Sequence, residues 1–148
     1  RGGVGAAEYA PSLREEKRMR TMTLAIVATL MSAGVAFAAD PLEGYWRTAK
    51  DDNGHSGLVH VKPCGAQLCG TLVKAYDANG NEIQSDNLGR NIISATVPKG
   101  NGSYTGKVYS PDRGKTYNSR LQLSGNALKV SGCVLGICRD GGTWSKVK

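Results

Sequence analysis

The four cysteines are the residues of this sequence whose type and spacing could carry chemistry. Cys64 and Cys69 bracket Gly-Ala-Gln-Leu, and Cys133 and Cys138 bracket Val-Leu-Gly-Ile. Two such C-x4-C pairs could bind zinc, exchange electrons or form structural disulfides. Structural zinc usually takes cysteines separated by two to four residues, and redox-active pairs are commonly C-x-x-C, so this spacing favours disulfides. Of the three connectivities that four cysteines allow, we favour Cys64–Cys69 and Cys133–Cys138, because a C-x4-C segment can face itself across a hairpin loop.

Acid–base residues are few after residue 40. His55 lies in the turn-like sequence Asn-Gly-His-Ser-Gly, and His60 alternates with two valines. Neither histidine has an evident nucleophile or carboxylate partner in the sequence. Asp51-Asp52 lies in a polar turn, where hydrogen bonding to the backbone is the usual role. We therefore predict no catalytic residue and expect that the protein is not an enzyme.

One segment superficially resembles a calcium-binding loop. Asp77, Asn79 and Asn81 have the spacing of the first three EF-hand ligands. Position six is Glu82, where glycine is required, and position twelve is Leu88, where a bidentate glutamate is required. The sequence therefore predicts Asx-type turns that lead into a mobile loop over residues 77–90, and we expect neither a metal site nor a cofactor.

The first 38 residues differ in composition from the rest. All three Met and the only Phe precede residue 40, whereas all four Cys follow it. From Met19 the pattern is typical of a secretory leader: Arg20 is the positive charge, residues 24–35 form an apolar run, and Ala36-Phe37-Ala38 places small residues at positions −3 and −1. We expect a disordered upstream segment at 1–18, a cleaved signal peptide at 19–38 and a single mature domain at 39–148.

The alternative is a retained transmembrane helix, since residues 21–39 are uncharged and just long enough to span a bilayer. That run is rich in Ala, Thr, Ser and Gly, and Asp40-Pro41 follows it in place of a basic cluster, so cleavage is favoured. The expected location is the periplasm or the extracellular space, with no membrane span after cleavage. In such an oxidising space, disulfides are favoured over thiolates that bind zinc.

The predicted mature segment has little apolar volume from which to build a core. It holds 21 Leu, Ile and Val in 110 residues, with no Phe and no Met. A compact fold therefore needs the help of disulfides. Its 14 Lys and Arg against nine Asp and Glu give a net charge of +5. These charges are spread along the chain and stacking aromatics are few, so we expect no nucleic-acid partner.

Short runs rich in Val, Ile, Thr and Tyr recur after residue 40 and are separated by turn sequences. They predict eight strands, at residues 44–48, 58–62, 71–76, 91–97, 103–109, 116–123, 127–132 and 143–147. Turns such as Lys99-Gly100-Asn101-Gly102, Pro111-Asp112-Arg113-Gly114 and Ser124-Gly125-Asn126 imply antiparallel neighbours. An all-β, eight-stranded up-and-down barrel would remove the exposed edges, and a small sandwich is the alternative. Alternation places Tyr117, Ser119, Leu121 and Leu123 on the inner face.

Several short motifs occur together over residues 42–147. They are Gly-Tyr-Trp at 44–46, Pro63-Cys64-Gly65, Leu68-Cys69-Gly70, Leu88-Gly89-Arg90, Tyr109-Ser110-Pro111, Gly114-Lys115-Thr116-Tyr117, Leu128-x-Val130-x-Gly132-Cys133, Cys138 and Trp144. Taken together they resemble the exported bacterial family called domain of unknown function 2147, and Gly-x-Trp resembles the signature of lipocalin-type calycin barrels. The resemblance implies a lipocalin-like barrel outside the cytoplasm, with Trp46 packed across one end. The lipocalin pattern sets an arginine of the last strand against that tryptophan, and this chain offers Lys146, with Arg139 before it.

The resemblance also implies that the barrel binds a small ligand. Because aliphatic residues are few, we expect this ligand to be small or amphipathic. The candidate ligand-binding residues are Trp46, Arg90, Tyr104, Tyr109 and Tyr117. The alternative is a periplasmic protein-interaction module or enzyme inhibitor that acts through rim loops. Those loops are residues 77–90 and 133–138, and the second would expose Val134, Leu135 and Ile137 at its tip.

Overall fold

A computed structural model describes residues 38–148, so the predicted upstream segment and all but the last residue of the predicted signal peptide lie outside the described residues. Nine strands form in the described part. They are β1 (Gly44–Arg47), β2 (Ser56–Cys64), β3 (Gln67–Tyr76), β4 (Glu82–Ile83), β5 (Asn91–Gly100), β6 (Ser103–Ser110), β7 (Lys115–Ser124), β8 (Ala127–Val134) and β9 (Ile137–Lys146). No helix within residues 38–148 is long and apolar enough to cross a membrane.

Eight of these strands close into an antiparallel barrel. Each of β5 to β9 pairs with its neighbour in the sequence, β3 pairs with both β2 and β5, and β1 closes the ring by pairing with β2 and β9. The ninth strand, β4, is a two-residue flap on the end of β3. The predicted eight-stranded up-and-down barrel is confirmed, and the sandwich alternative is wrong.

Both predicted disulfides are present, and each joins the two strands of one hairpin. Cys133 and Cys138 are direct partners across β8 and β9, with their Cα atoms 4.0 Å apart. Cys64 and Cys69 lie diagonally across β2 and β3, with their Cα atoms 5.5 Å apart. The β2–β3 ladder ends at the Cys64–Gln67 pair and the β8–β9 ladder at the Val134–Ile137 pair, so each hairpin is closed by a two-residue turn.

The inner faces of the strands fill one half of the barrel. Tyr104, Leu121 and Val130 are partners across β6, β7 and β8, and all are less than 5% exposed. The other buried apolar side chains in this half include Leu42, Trp46, Val59, Val61, Ile93 and Leu128. Burial of this set is the main favourable term that holds the small domain together.

We call this filled end the floor of the barrel. It comprises the β2–β3, β5–β6 and β7–β8 turns together with residues 40–43. The opposite end, which we call the mouth, comprises the β1–β2 loop (48–55), the β3–β5 loop (77–90), the β6–β7 turn (111–114) and the β8–β9 turn (135–136). Because neighbouring strands are antiparallel, every connection falls at one of these two ends.

Candidate functional site: a cavity at the barrel mouth

A cavity of about 960 Å³ occupies the upper half of the barrel and opens at the mouth. Its wall is formed by inward-facing apolar side chains from β3, β5, β6, β8 and β9, namely Leu72, Ile92, Val108, Val130 and Trp144. Three tyrosines stand nearer the rim, namely Tyr76, Tyr109 and Tyr117. The volume lies at the upper end of the range for pockets that hold drug-sized ligands.

Small residues explain why this half is hollow. Gly132 faces inward on β8 and leaves open the space that a larger side chain would occupy, and Ala75 also lines the cavity. The circumference of a barrel is set by strand number and backbone pairing, so small side chains leave a hollow and the wall does not collapse. A shortage of aliphatic side chains therefore leaves the upper half of the barrel hollow and does not shrink the cavity.

The floor is closed by a plug that precedes β1. Trp46 is fully buried, and its Nε1 donates a hydrogen bond of 2.8 Å to the carbonyl oxygen of Leu42, which is also fully buried. Lys146 of β9 holds its Nζ 5.4 Å from the centre of the Trp46 ring and donates to the carbonyl oxygen of Pro41 at 2.9 Å. Lysine thus makes the cation–π contact for which the lipocalin pattern uses arginine.

Tyr104 fastens the plug from the opposite wall. Its hydroxyl donates to Oδ1 of Asp40, an oxygen that also accepts the backbone N–H of Leu42 at 2.8 Å. Burial, followed by the hydrogen bond and the negative charge of Asp40, raises the pKa of Tyr104 well above its usual value. The hydroxyl therefore stays protonated and serves to hold the floor shut.

The rim of the mouth carries charges of both signs. Lys50, Arg113 and Arg139 line it, as do Asp51, Asp112 and Asp140. Burial raises the pKa of the Asp112 carboxyl, and the nearby carboxylates of Asp51 and Asp52 raise it further. Asp51 of the β1–β2 loop and Asp112 of the β6–β7 turn thus line the same cavity mouth, although their strands lie on opposite sides of the ring.

Two arginines near the mouth are already engaged with aromatic rings. Arg90 holds its guanidinium 4.3 Å from the centre of the Tyr109 ring, and Arg47 lies 3.7 Å from that of Tyr76. Arg47 also donates from Nε to Ser56 Oγ at 3.2 Å. These contacts fix two of the three rim tyrosines in place.

Comparison with known proteins agrees with this geometry. The family model for domain of unknown function 2147 (DUF2147), described as an uncharacterized protein conserved in bacteria, matches residues 44–146. The chain belongs to this family. Among solved structures, the barrel is similar to protein HP1028 from Helicobacter pylori, which is described as belonging to the lipocalin family. The TM-score is 0.58 at 20% identity, covering 75% of this chain and 85% of that one, which supports a shared lipocalin-like fold. The search of curated proteins gave no match.

The five candidate ligand-binding residues fall into two groups in this DUF2147 barrel. Tyr109 and Tyr117 line the cavity, and Arg90 lies against Tyr109 at the rim. Trp46 and Tyr104 are in the floor, where they close the barrel and do not line the cavity. The structure therefore brings three of the five residues together at the mouth.

The cavity wall includes residues that the sequence analysis did not choose as ligand-binding residues. Trp144 is 4% exposed and lines the cavity, as do Leu72 and Ile92. Each belongs to a predicted strand, so alternation could have placed it on an inner face. The sequence holds no signal for which inner-face residues lie in the hollow half, because that depends on the depth of each residue along the barrel.

The predicted Asx turns and rim loops are at the mouth. Asp77 Oδ1 accepts the backbone N–H groups of Asn79 and Asn81, both at 2.9 Å. These hydrogen bonds, of which that from Asn81 has the largest effect, lower the pKa of Asp77.

No group of three or more His, Cys, Asp or Glu that could hold a metal ion exists among residues 38–148.

One buried hydroxyl lies in the strand register next to Gly132, which lines the cavity. Ser119 is 3% exposed, and within residues 38–148 its Oγ is the only buried side-chain polar atom without a hydrogen-bond partner. It faces inward between Gly106 and Gly132, its direct partners on β6 and β8. An unpaired buried hydroxyl costs about 1–3 kcal/mol, which a water or a ligand atom reaching it would recover.

Proposed function

We propose that this protein is an exported carrier that binds an amphipathic small molecule in the cavity of its barrel. The observation that carries the proposal is the hollow upper half, with its apolar wall and polar rim open at the mouth. An apolar body would occupy the wall region around Val130 and Trp144, and a polar group would remain near the rim tyrosines and arginines. This arrangement is typical of small-molecule sites, in which a few polar groups orient a mainly apolar ligand.

The two histidines do not form an acid–base pair with each other, although His55 lines the cavity with Asp51 and Asp112. His60 faces outward and stacks on Tyr45, with the ring centres 4.2 Å apart and the planes at 6°. His55 lies in the β1–β2 loop, where its backbone N–H donates to Asp51 Oδ1. The two histidines occupy different surfaces, so they do not form an acid–base pair.

Export to an oxidising compartment is part of the proposal. All four cysteines of the sequence are paired in local disulfides, and no cysteine is free. Such bonds persist in the periplasm and outside the cell and are rare in a reducing cytosol. The leader-like pattern of residues 19–38 gives the same compartment from an independent feature.

A protein-interaction module acting through rim loops is the second candidate. The apolar residues exposed on the β8–β9 turn favour it. It does not require a hollow interior, however, whereas a carrier does. The cavity therefore favours the carrier.

The two tryptophans of the sequence allow a direct test. Trp144 lines the cavity, whereas Trp46 lies in the floor and does not. A fatty acid brominated on its chain quenches indole fluorescence only at contact, so it reports which tryptophan it touches. We expect saturable quenching in Trp46→Phe, which retains Trp144, and little quenching in Trp144→Phe, which retains Trp46.

Circular dichroism serves as the control for folding, since both substitutions reduce buried volume. Equal quenching in the two variants would contradict binding in the cavity, as would the absence of saturable quenching in Trp46→Phe. Native mass spectrometry of protein purified from its own host, without reducing agent, then identifies the natural ligand by its added mass.

A further inference from the structure

The β8–β9 turn carries an unusual concentration of exposed apolar surface. Val134, Leu135 and Ile137 are 55%, 95% and 71% exposed. Among residues 38–148, the only other large apolar side chain that is more than half exposed is Val147, at the other end of the barrel. We call residues Val134 to Ile137 the apolar tip.

The apolar tip is held rigidly in its exposed position. The Cys133–Cys138 disulfide lies immediately below it, and Val134 pairs with Ile137 across the hairpin. Leu135 and Gly136 form the turn with φ angles of +52° and +80°. This turn favours Asn or Gly at its first position and disfavours a bulky L residue, so local backbone geometry does not account for a leucine there.

Cationic side chains lie on both strands next to the tip hairpin. Arg139 is the cross-strand partner of Gly132 just below the tip and lines the same rim, and Lys115 begins β7 at the mouth, on the strand that pairs with β8. Neither cation forms an ion pair within residues 38–148, where the single salt bridge joins Lys74 and Glu82. The carboxylate next to Arg139 in sequence, Asp140, accepts the backbone N–H of Gly142, and Asp112, three residues before Lys115, makes no salt bridge within residues 38–148.

We propose that the apolar tip inserts into the surface of an anionic lipid bilayer and thereby sets the barrel mouth against the membrane. Proteins that bind the membrane surface commonly use aliphatic side chains next to Lys and Arg. The aliphatic groups enter the boundary between headgroups and acyl chains, and the cations contact the lipid headgroups. A protruding tip without aromatic residues is a poorer match to a protein interface, whose centre is enriched in Tyr, Trp and Phe.

The placement of the tip gives this attachment a role. Val134, Leu135 and Ile137 also line the cavity at its rim. An amphipathic molecule leaving the bilayer would therefore pass along the tip into the cavity without crossing bulk water. Docking itself does not depend on the proposed carrier function, because it requires only the tip and its cations.

Vesicle flotation of the compact unit Ala39–Lys148, which contains the whole barrel and both disulfides, tests the proposal. The probes are vesicles of phosphatidylcholine alone and vesicles with about a third phosphatidylglycerol. Leu135→Asn removes the inserted side chain and introduces a residue that the turn favours, so the variant remains folded. Because a fully buried leucine is a major contribution to membrane partitioning, we expect Leu135→Asn to lower the partition coefficient about tenfold or more.

Matched controls come from the opposite end and wall of the barrel. Val147→Asn removes an exposed aliphatic residue far from the mouth, and we expect its partitioning to equal that of the wild type. Lys115→Gln should weaken binding to the anionic vesicles about threefold to tenfold and make that binding less sensitive to salt. Lys129→Gln, on the outer face of β8, should leave both the binding and its salt dependence unchanged.

Three results would overturn the proposal: no flotation of the wild type with anionic vesicles, equal partitioning of Leu135→Asn and wild type, or equal binding to the two vesicle types. If the wild type fails to float and Leu135→Asn instead loses a co-purifying protein, the tip is a protein-binding surface. Quenching of Trp144 by the brominated fatty acid is measured separately, in solution without vesicles. A failure of membrane docking is therefore distinguishable from a failure of ligand binding.

Discussion

Two glycines on either side of Ser119 should respond in opposite directions to the same substitution. Gly106, Ser119 and Gly132 form one inward-facing row across β6, β7 and β8. A Cβ at Gly106 would lie 2.7 Å from the carbonyl oxygen of Ser94, 2.8 Å from that of Ala95 and 2.9 Å from Thr96 Cα. All three atoms are backbone, in a bulged part of β5 where Ala95 has a φ of +48°, so none can move by rotating a side chain.

The corresponding Cβ at Gly132 meets ordinary contacts. Its nearest neighbours are the Cβ, Cγ and Cδ2 atoms of Tyr117, at 3.5, 3.7 and 3.8 Å. Gly106→Ala should therefore destabilise the protein by about 2–3 kcal/mol through overpacking. Gly132→Ala should stabilise it by about 0.5–1 kcal/mol, because alanine loses less conformational entropy than glycine in a strand.

Thermal unfolding under non-reducing conditions measures the difference. A gap of about 3 kcal/mol in a domain of this size corresponds to roughly 12–24 °C between the two melting temperatures. Urea titration with both tryptophans intact gives the free energies of unfolding independently. Equal melting temperatures, or a larger loss in Gly132→Ala than in Gly106→Ala, would refute the explanation that Gly106 is required by the close approach of β5.

Two further predictions concern ionisable groups at the two ends of the barrel. Tyr104→Phe removes the hydrogen bond to Asp40 and should cost about 1.5 kcal/mol of stability at pH 7. The pKa of Tyr104 is raised in the folded state from an ordinary value near 10, so the wild type loses this advantage as the pH rises above 10. The melting temperatures of wild type and variant should therefore converge at high pH. A gap between them that is constant with pH would contradict this. Asp112→Asn should raise the melting temperature at pH 7, because the raised pKa of Asp112 means that its ionised form destabilises the folded state. The gain in melting temperature should vanish below about pH 3.8, where the Asp112 carboxyl is protonated in both the folded and the unfolded state. Asp86→Asn is the surface control, and a gain for Asp112→Asn that persists at pH 3 would contradict the assignment.

Alternation and turn chemistry predicted most of the barrel from the sequence. All eight predicted strands exist, and the turn at Gly100-Asn101-Gly102, which joins antiparallel neighbours as predicted, has positive φ at all three residues. Strand ends were less predictable, since β9 begins at Ile137 and not at Thr143. Its first half, Ile-Cys-Arg-Asp-Gly-Gly, has no apolar alternation, and pairing with β8 imposes its extended form. The flap β4 is only two residues long, which is too short for any periodic pattern.

The candidate site was less predictable than the fold. Tyr109 and Tyr117 line the cavity, but the same reasoning also chose Tyr104, which the structure places in the floor. These tyrosines are alike in local sequence, because all lie in strands of similar composition. Tyr104 lies at the floor end of β6 and Tyr109 at its mouth end, and neither composition nor periodicity shows which end of the barrel is filled and which is hollow.

The closure of the ring by β1 and β9 has a consequence for the order in which the barrel folds. Trp46 pairs with Lys146, a residue 100 positions away, whereas every other wall contact except that between β3 and β5 joins strands linked by a single turn or loop. Hairpins of nearby strands form early, and contacts of large sequence separation form late. The plug contacts between Asp40 and Tyr104 and between Pro41 and Lys146 also span the chain. The wall can thus assemble strand by strand, but the ring and its floor are completed only once β9 is in place, and until then the chain remains an open meander.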